Sequence, residues 1–263
     1  MRECKLTRKP KVLILLATGT NRDHDISAAF NLAGAETEIV PLNLLKSGKK
    51  DWSDYQILAL PGGFSYADAL GAGRLLALDL NSYFYDQLFL FNENAKAIIG
   101  ICNGFQALLK AGFLPGNFPS QTTLTFNSAG HFECRWTTLK PVSEKCIWTA
   151  GLADLIECPV AHGEGNFQTI QPSITDNLLQ NDQVALLYTS PDGQKAQGSY
   201  PNNPNGSCQD IAGLCNPRGN ILGLMPHPEN HIFDYQHPRW TRGVKQYSGL
   251  PLFINGVKYA AQY

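Results

Sequence analysis

Two hydrophobic periods alternate along the first half of the chain. Four segments read as strands, Lys11 to Ala17, Glu36 to Val40, Gln56 to Leu60 and Ala97 to Ile101, the first and the last two as apolar runs of the kind buried on both faces. Between the first two, Ile26, Ala29, Phe30 and Ala33 recur at helical spacing, in a helix predicted to begin near Asp25 and to end at Gly34. After the fourth run, Phe105, Leu108 and Leu109 form another helical stripe, closed by Gly112. Strands alternating with helices at this rhythm predict βαβ units and an open, mostly parallel sheet with helices on both faces.

The rhythm breaks after Pro115. Leu124 to Phe126, His131 to Thr138, Ile156 to Val160, Gln183 to Thr189 and Gln194 to Tyr200 read as short strands separated by turn residues, and Pro201 to Gly206 as a loop. They predict a short antiparallel, β-rich extension of the same domain. A buried strand returns at Asn220 to Met225. The chain closes in a helix with Phe253, Val257, Ala260 and Ala261 on one face. With no internal repeat and no low-complexity linker, residues 1–263 are expected to form a single domain.

Composition narrows the function classes. Lys and Arg number 21 against 22 Asp and Glu, a formal net charge of -1, so charge makes no case for nucleic acid or a membrane surface as partner. The segment Met1 to Pro10 is basic, but the apolar run behind it is too short for a signal peptide core or a membrane span. Seven cysteines (Cys4, Cys102, Cys134, Cys146, Cys158, Cys208 and Cys215) show no paired spacing. An odd, unpaired set argues against a disulfide framework and a zinc ribbon, and a reducing, cytoplasmic setting is expected.

Candidate chemistry sits at the ends of the predicted strands. Gly100-Ile101-Cys102-Asn103-Gly104 joins a buried strand to a helix, as a nucleophile elbow does. Glycines two before and two after remove the clashes of a sharp turn, and the helix N-terminus favours a thiolate. The loop Pro61-Gly62-Gly63 follows the third strand, where backbone N–H groups can turn toward a ligand. The N–H groups of Gly63 and Asn103 are the expected oxyanion donors. The late strand runs into Pro226-His227-Pro228-Glu229. Residues two apart in extended chain point the same way, so Glu229 can orient the His227 imidazole and complete a Cys102–His227–Glu229 triad. The remaining histidines, including His231 and His237, give no convincing zinc set, so no metal site is expected.

Together the elbow with Phe105-Gln106, the Pro61-Gly62-Gly63 loop and the Pro226-His227-Pro228-Glu229 turn resemble the class I glutamine amidotransferases, with their flavodoxin-like fold. More narrowly, Gly19 to Asp23, Pro61 to Tyr66, Phe132 to Trp136, Pro159 to Gly165 and Asp210 to Gly213 resemble the family of glutaminase subunits of phosphoribosylformylglycinamidine synthase. The resemblance runs from about Val12 to Glu229. It implies that Cys102 attacks the side-chain amide of glutamine to give a glutamyl thioester and ammonia. His227 would move the protons and Glu229 would hold its tautomer. By the same resemblance Gln106 helps hold glutamine, and His162 and Gly163 lie near the glutamine pocket or the partner contact. The ammonia would pass to a separate synthetase subunit, which uses ATP and Mg to convert formylglycinamide ribonucleotide to formylglycinamidine ribonucleotide. A small third subunit commonly joins such a complex; this chain itself would need no cofactor.

A few positions depart from that family's pattern: Ala67 where Gly is usual, Gly71 with Arg74 nearby where a basic residue is frequent, and His131 where Arg is expected. His231 to Tyr247, including Trp240, is long for a core connection and is expected to face a partner. Arg135 and Trp136 fit either a surface strand pair or a docking face. Other readings are a glutaminase serving a different synthetase, a cysteine hydrolase of similar fold, and a non-catalytic binding relative.

Overall fold

A computed structural model describes residues 9–116, 121–243 and 248–262. The first strand, β1 (Lys11–Leu16), runs into helix α1 (Asp23–Leu32), and Gly34, with φ 100°, follows the helix end. Next come β2 (Glu36–Pro41), the short α2 (Leu42–Lys46) and β3 (Ile57–Leu60), then α3 (Arg74–Tyr83), α4 (Tyr85–Glu93), β4 (Ala97–Ile101) and α5 (Asn103–Lys110). The second half holds β5 (Thr122–Thr125), β6 (Glu133–Pro141), β7 (Ile156–His162), β8 (Asn166–Thr169), α6 (Pro172–Gln180), β9 (Val184–Thr189), β10 (Ile211–Cys215), β11 (Ile221–Leu224) and α7 (Leu250–Ala260).

Nine strands form one sheet in the order β2-β1-β3-β4-β11-β10-β9-β6-β7, while β5 and β8 pair separately. The first five are parallel to one another, as the alternation of strands and helices predicts. From β11 onward every pairing is antiparallel, so the expected β-rich extension continues the main sheet as its far half. The elbow strand β4 is fourth of nine, and Gly100 lies beside Gly223 across the β4–β11 pair. That glycine pair lets α5 come down onto the sheet. A Cβ at Gly223 would stand 2.1 Å from the Phe105 ring, and one at Gly100 2.6 Å from Leu108. Helices α1 and α7 pack together through Phe30 and Phe253, whose rings meet edge to face at 5.1 Å.

One expectation from the chain pattern needs correction. Gln194 to Tyr200 is not a strand: it is a turn with a single bridge from Lys195 to Thr189. The buried Asp210 carboxylate accepts the N–H groups of Gln197 (2.7 Å) and Gly198 (2.8 Å), and Gln197 adopts φ 53°. These bonds hold the backbone in a left-handed bend that a ladder cannot contain. Of the segment 231–247, residues 244–247 lie outside the described residues. Its first part is fastened to the sheet edge, while residues 238–243 are exposed. Trp136 on β6 meets the rings of His231 and His237 at 5.0 and 4.9 Å, and His237 Nε2 pairs with Glu157 at 2.9 Å. Trp240 itself remains half exposed.

Candidate active site

The elbow folds as its glycines require. Cys102 takes φ 51°, ψ -104°, outside the ordinary regions for a side-chain-bearing residue. Gly104 presses against the end of β3, and a Cβ there would meet the Leu60 carbonyl oxygen at 2.0 Å. The Cys102 carbonyl accepts the Gln106 N–H at 3.0 Å and starts α5. This puts the sulfur at the helix N-terminus, where the first N–H groups have no intrahelical acceptor.

His227 arrives from the carboxyl end of the neighbouring strand β11. Its N–H is held by the Pro159 carbonyl of β7 at 2.8 Å, and its Nδ1 lies 2.7 Å from Glu229 Oε1. Both side chains are buried. Burial opposes a charge on the imidazole, but Glu229, and then Cys102, outweigh it and raise the His227 pKa to about 10. His227 is therefore an imidazolium at neutral pH, its Nδ1–H spent on Glu229. Its buried Nε2 makes no hydrogen bond to nitrogen or oxygen. The Cys102 sulfur also lies 3.8 Å from the Ala161 carbonyl oxygen, again on β7. The three residues picked from spacing thus come together.

The glycine loop has two distinct jobs. Gly62 makes room for the His227 ring, since a Cβ there would sit 2.7 Å from its Cε1. Gly63, at φ 136°, faces Thr20 in a bridge whose two bonds, Asn21 N–H to Gly62 O and Phe64 N–H to Gly19 O, leave its own N–H unused by the bridge. The Asn103 N–H stands at the first position of α5. The Asn103 side chain locks loop to helix: its Oδ1 accepts the Ser65 hydroxyl, and its Nδ2 donates to Asp68 (3.0 Å) and Gln106 Oε1 (3.1 Å). Gln106 Nε2 donates to the Glu164 carbonyl at 2.6 Å, so both polar ends of Gln106 are engaged by the protein. Burial, and next the Glu164 charge, push the Asp68 carboxyl above its ordinary pKa.

His162 and Gly163 close β7 on the far side. His162 is buried, with Nδ1 3.1 Å from Asn127 Oδ1, and Gly163 O accepts the Asn127 N–H at 2.9 Å. Burial, reinforced by the positive His227, drives the His162 pKa down to about 3. Asn127 and the Ala161 carbonyl escaped the reading by spacing. Asn127 sits in an irregular loop, and a main-chain carbonyl leaves no mark in a side-chain pattern. Among the described residues no cluster of three metal-ligating side chains occurs, and no helix is long and apolar enough to cross a membrane.

A family model described as a CobB/CobQ-like glutamine amidotransferase domain matches residues 9–260. The chain is similar to the phosphoribosylformylglycinamidine synthase subunit PurQ of Treponema denticola, at 54% identity over 95% of this chain and 99% of that protein. It is 46% identical to the same subunit of Dehalococcoides mccartyi, over 97% and 99%. Among solved structures, a chain of PurLQS from Thermotoga maritima superposes with a TM-score of 0.75 at 29% identity, covering 96% of this chain and 99% of that one.

Proposed function

The chain belongs to the CobB/CobQ-like glutamine amidotransferase family and, within it, to the glutaminase subunits of phosphoribosylformylglycinamidine synthase, and from that premise we propose that Cys102, His227 and Glu229 carry out its chemistry. It is the ammonia-producing subunit of an enzyme of purine biosynthesis. The observation that carries the catalytic assignment is the buried His227–Glu229 couple, 2.7 Å long, beside an elbow cysteine whose charge the imidazole feels.

Cys102 gives its thiol proton to His227, its sulfur attacks the side-chain carbonyl carbon of glutamine, and the oxyanion draws on the N–H groups of Gly63 and Asn103. Imidazolium His227 gives its proton to the departing nitrogen, the C–N bond breaks, and a glutamyl thioester and ammonia result. Neutral His227 then takes a proton from water, whose oxygen attacks the thioester and frees glutamate. Glu229 holds the ring and supports its charged form throughout. Gln106, His162 and Gly163 shape the floor of the glutamine pocket. The ammonia is used by a synthetase subunit that consumes ATP with Mg, and a small third subunit completes the assembly. The whole chain, 1–263, acts as one amidotransferase domain in the cytoplasm, without a cofactor of its own.

Cys102→Ala tests the assignment. Glutamine-dependent synthesis by the reconstituted complex should fall by about three orders of magnitude or more, while ammonium chloride still supports product formation. Retained glutamine use would remove Cys102 from the mechanism. Failure of ammonia to rescue would overturn the division of labour between subunits.

A further inference from the structure

We propose that Asp25 is a positioning residue for the glutaminase reaction: its carboxylate clasps the turn that carries His227 and Glu229 to the loop that sets the Gly63 N–H. That role rests on the glutaminase reading above and concerns how the site keeps its register.

The direction of the Gly63 N–H is set by its own peptide unit. Gly62 O accepts the N–H groups of Arg22 (3.3 Å) and Asn21 (3.5 Å). The Gly62–Gly63 bond is not among the cis peptides of the described residues, and in a trans unit C=O and N–H point opposite ways. The order of the sheet gives that direction a meaning. The 18–22 loop follows β1, the glycine loop follows β3 and the elbow follows β4, with β3 lying between β1 and β4. A Gly62 carbonyl turned back to the β1 loop therefore turns the Gly63 N–H toward the elbow. Donors on Gly62 O also polarise the peptide and strengthen the N–H on its other side. The Gly19 to Asp23 stretch, which supplies no reacting group, thus has a part in the site.

Asp25 joins this loop to the triad turn. It stands in the first turn of α1, and its Oδ2 accepts Arg22 Nη1 and Asn230 Nδ2, each at 3.0 Å. A carboxylate only accepts, so the Asn230 amide has one orientation. Asn230 directly follows Glu229, and its N–H is bonded to the His227 carbonyl at 3.1 Å, so a shift of Asn230 is passed to both. Arg22 makes the other arm, its side chain bonded to Asp25 and its main chain to Gly62 O. Its stem also lies against Gly62, 3.4 Å from a Cβ built there, on the residue that borders the His227 ring. Arg22 and Asp25 are each more than a third exposed, so water screens their attraction and the pair adds little stability. Its effect is registry between two loops, where a small misplacement costs rate.

The test uses the full complex with the synthetase, assayed for glutamate release. Asp25→Ala should lower kcat about tenfold, part of the roughly 10²- to 10³-fold cost of losing an oxyanion donor outright, with the glutamine KM within about twofold. Its thermal midpoint should stay within a few degrees of the wild type. Asp25→Asn keeps an oxygen that can accept both donors and should recover kcat to within about threefold. Adding Asn230→Ala to Asp25→Ala should cost little more, because both break one clasp. An unchanged kcat in Asp25→Ala would overturn the role, as would a KM raised tenfold at intact kcat, or a kcat in Asp25→Asn as low as in Asp25→Ala. Should Asp25→Ala fail to fold, Asn230→Ala alone decides: the same fall in kcat at unchanged KM is expected, and wild-type kinetics would overturn the role. Glutamine use surviving in Cys102→Ala would sink the glutaminase assignment instead, a separate result.

Discussion

The two halves of the sheet serve the site in different ways. The parallel half delivers the side chains of the proposed triad from loops at the carboxyl ends of β4 and β11, and the glycine loop from that of β3, where ligands bind in open α/β sheets. The antiparallel half delivers no nucleophile. Its outermost strand β7 returns to the elbow and offers main chain: Pro159 O takes the His227 N–H, Ala161 O faces the Cys102 sulfur, and His162 ends the strand. A parallel sheet alone would present Cys102 and His227 on open loops; the return of β7 buries them. Burial is what gives the Glu229 charge its leverage on His227, because a charge pair acts more strongly away from water.

Removing that charge should produce the largest effect. In Glu229→Gln the ring keeps its burial but loses its anion, so the proton leaves His227 at lower pH. A folded pKa raised to about 10 means that the imidazolium persists below that value and is lost as pH rises through it. Glutamate release by the complex should therefore fall on its alkaline side near pH 10 in the wild type and at distinctly lower pH in the variant. The rate at neutral pH should drop about 10³- to 10⁴-fold, by analogy with loss of the orienting carboxylate in serine protease triads. An unmoved alkaline limb would break the link between β7 burial and charge.

Glycines sharpen the comparison in terms of stability. Gly104→Ala, at the junction of β3, β4 and α5, would drive a Cβ into the Leu60 carbonyl, an atom that cannot step aside. A loss of about 3 kcal/mol in urea unfolding is expected. Gly151 in the antiparallel half has φ 72° with nothing within 4 Å of a built Cβ, so Gly151→Ala should cost only about 1 kcal/mol of left-handed strain. Equal losses would mean that the elbow is looser than its contacts indicate.

The parallel half was largely legible in the chain because its signals are local. A fully buried strand must be apolar throughout, and the elbow and the His-Pro-Glu turn each fit within a few residues. Cys102, His227 and Glu229 could be assembled from spacing once the strands were placed. The antiparallel half yields less, since its strands are specified by partners far away. β10 and β8 carry too little pattern to stand out, and Gln194 to Tyr200 looked extended because the reach of Asp210 to its backbone cannot be read locally. Asn127 holds the His162 ring from 35 positions away, a distance that no periodicity spans. The segment after Glu229 read as an excursion because its polar residues hid two histidines buried against Trp136.

That strap gives a mid-sized test. Trp136→Ala removes the ring that both histidines pack against and should cost about 2 kcal/mol, with faster proteolysis within 231–243 as the direct readout. If cleavage is unchanged, the contacts of Glu157 with His237 and His231, together with those of Ser248 and Gly249 with His231, suffice to hold the segment.

The smallest effect lies in the loop that carries Gly63 toward α3. Tyr66, Ala67 and Asp68 have φ of 55°, 55° and 52°, followed by Leu70 at 65°, a run of left-handed residues beside the site. Asn103 and the Glu164 carboxylate, which accepts the Ala72 N–H, hold the loop from below. Ala67 is exposed, so its methyl group gains little by packing and bears the left-handed penalty in full. Ala67→Gly relieves that penalty but adds freedom to the unfolded chain, and the net should be a gain of at most about 1 kcal/mol. Thermal unfolding measures it, and a lower Tm would mean that position 67 is not left-handed in solution. Glutamine KM reports the other half of the balance: if the strained run presents Gly63 correctly only when stiff, the more stable variant binds glutamine more weakly.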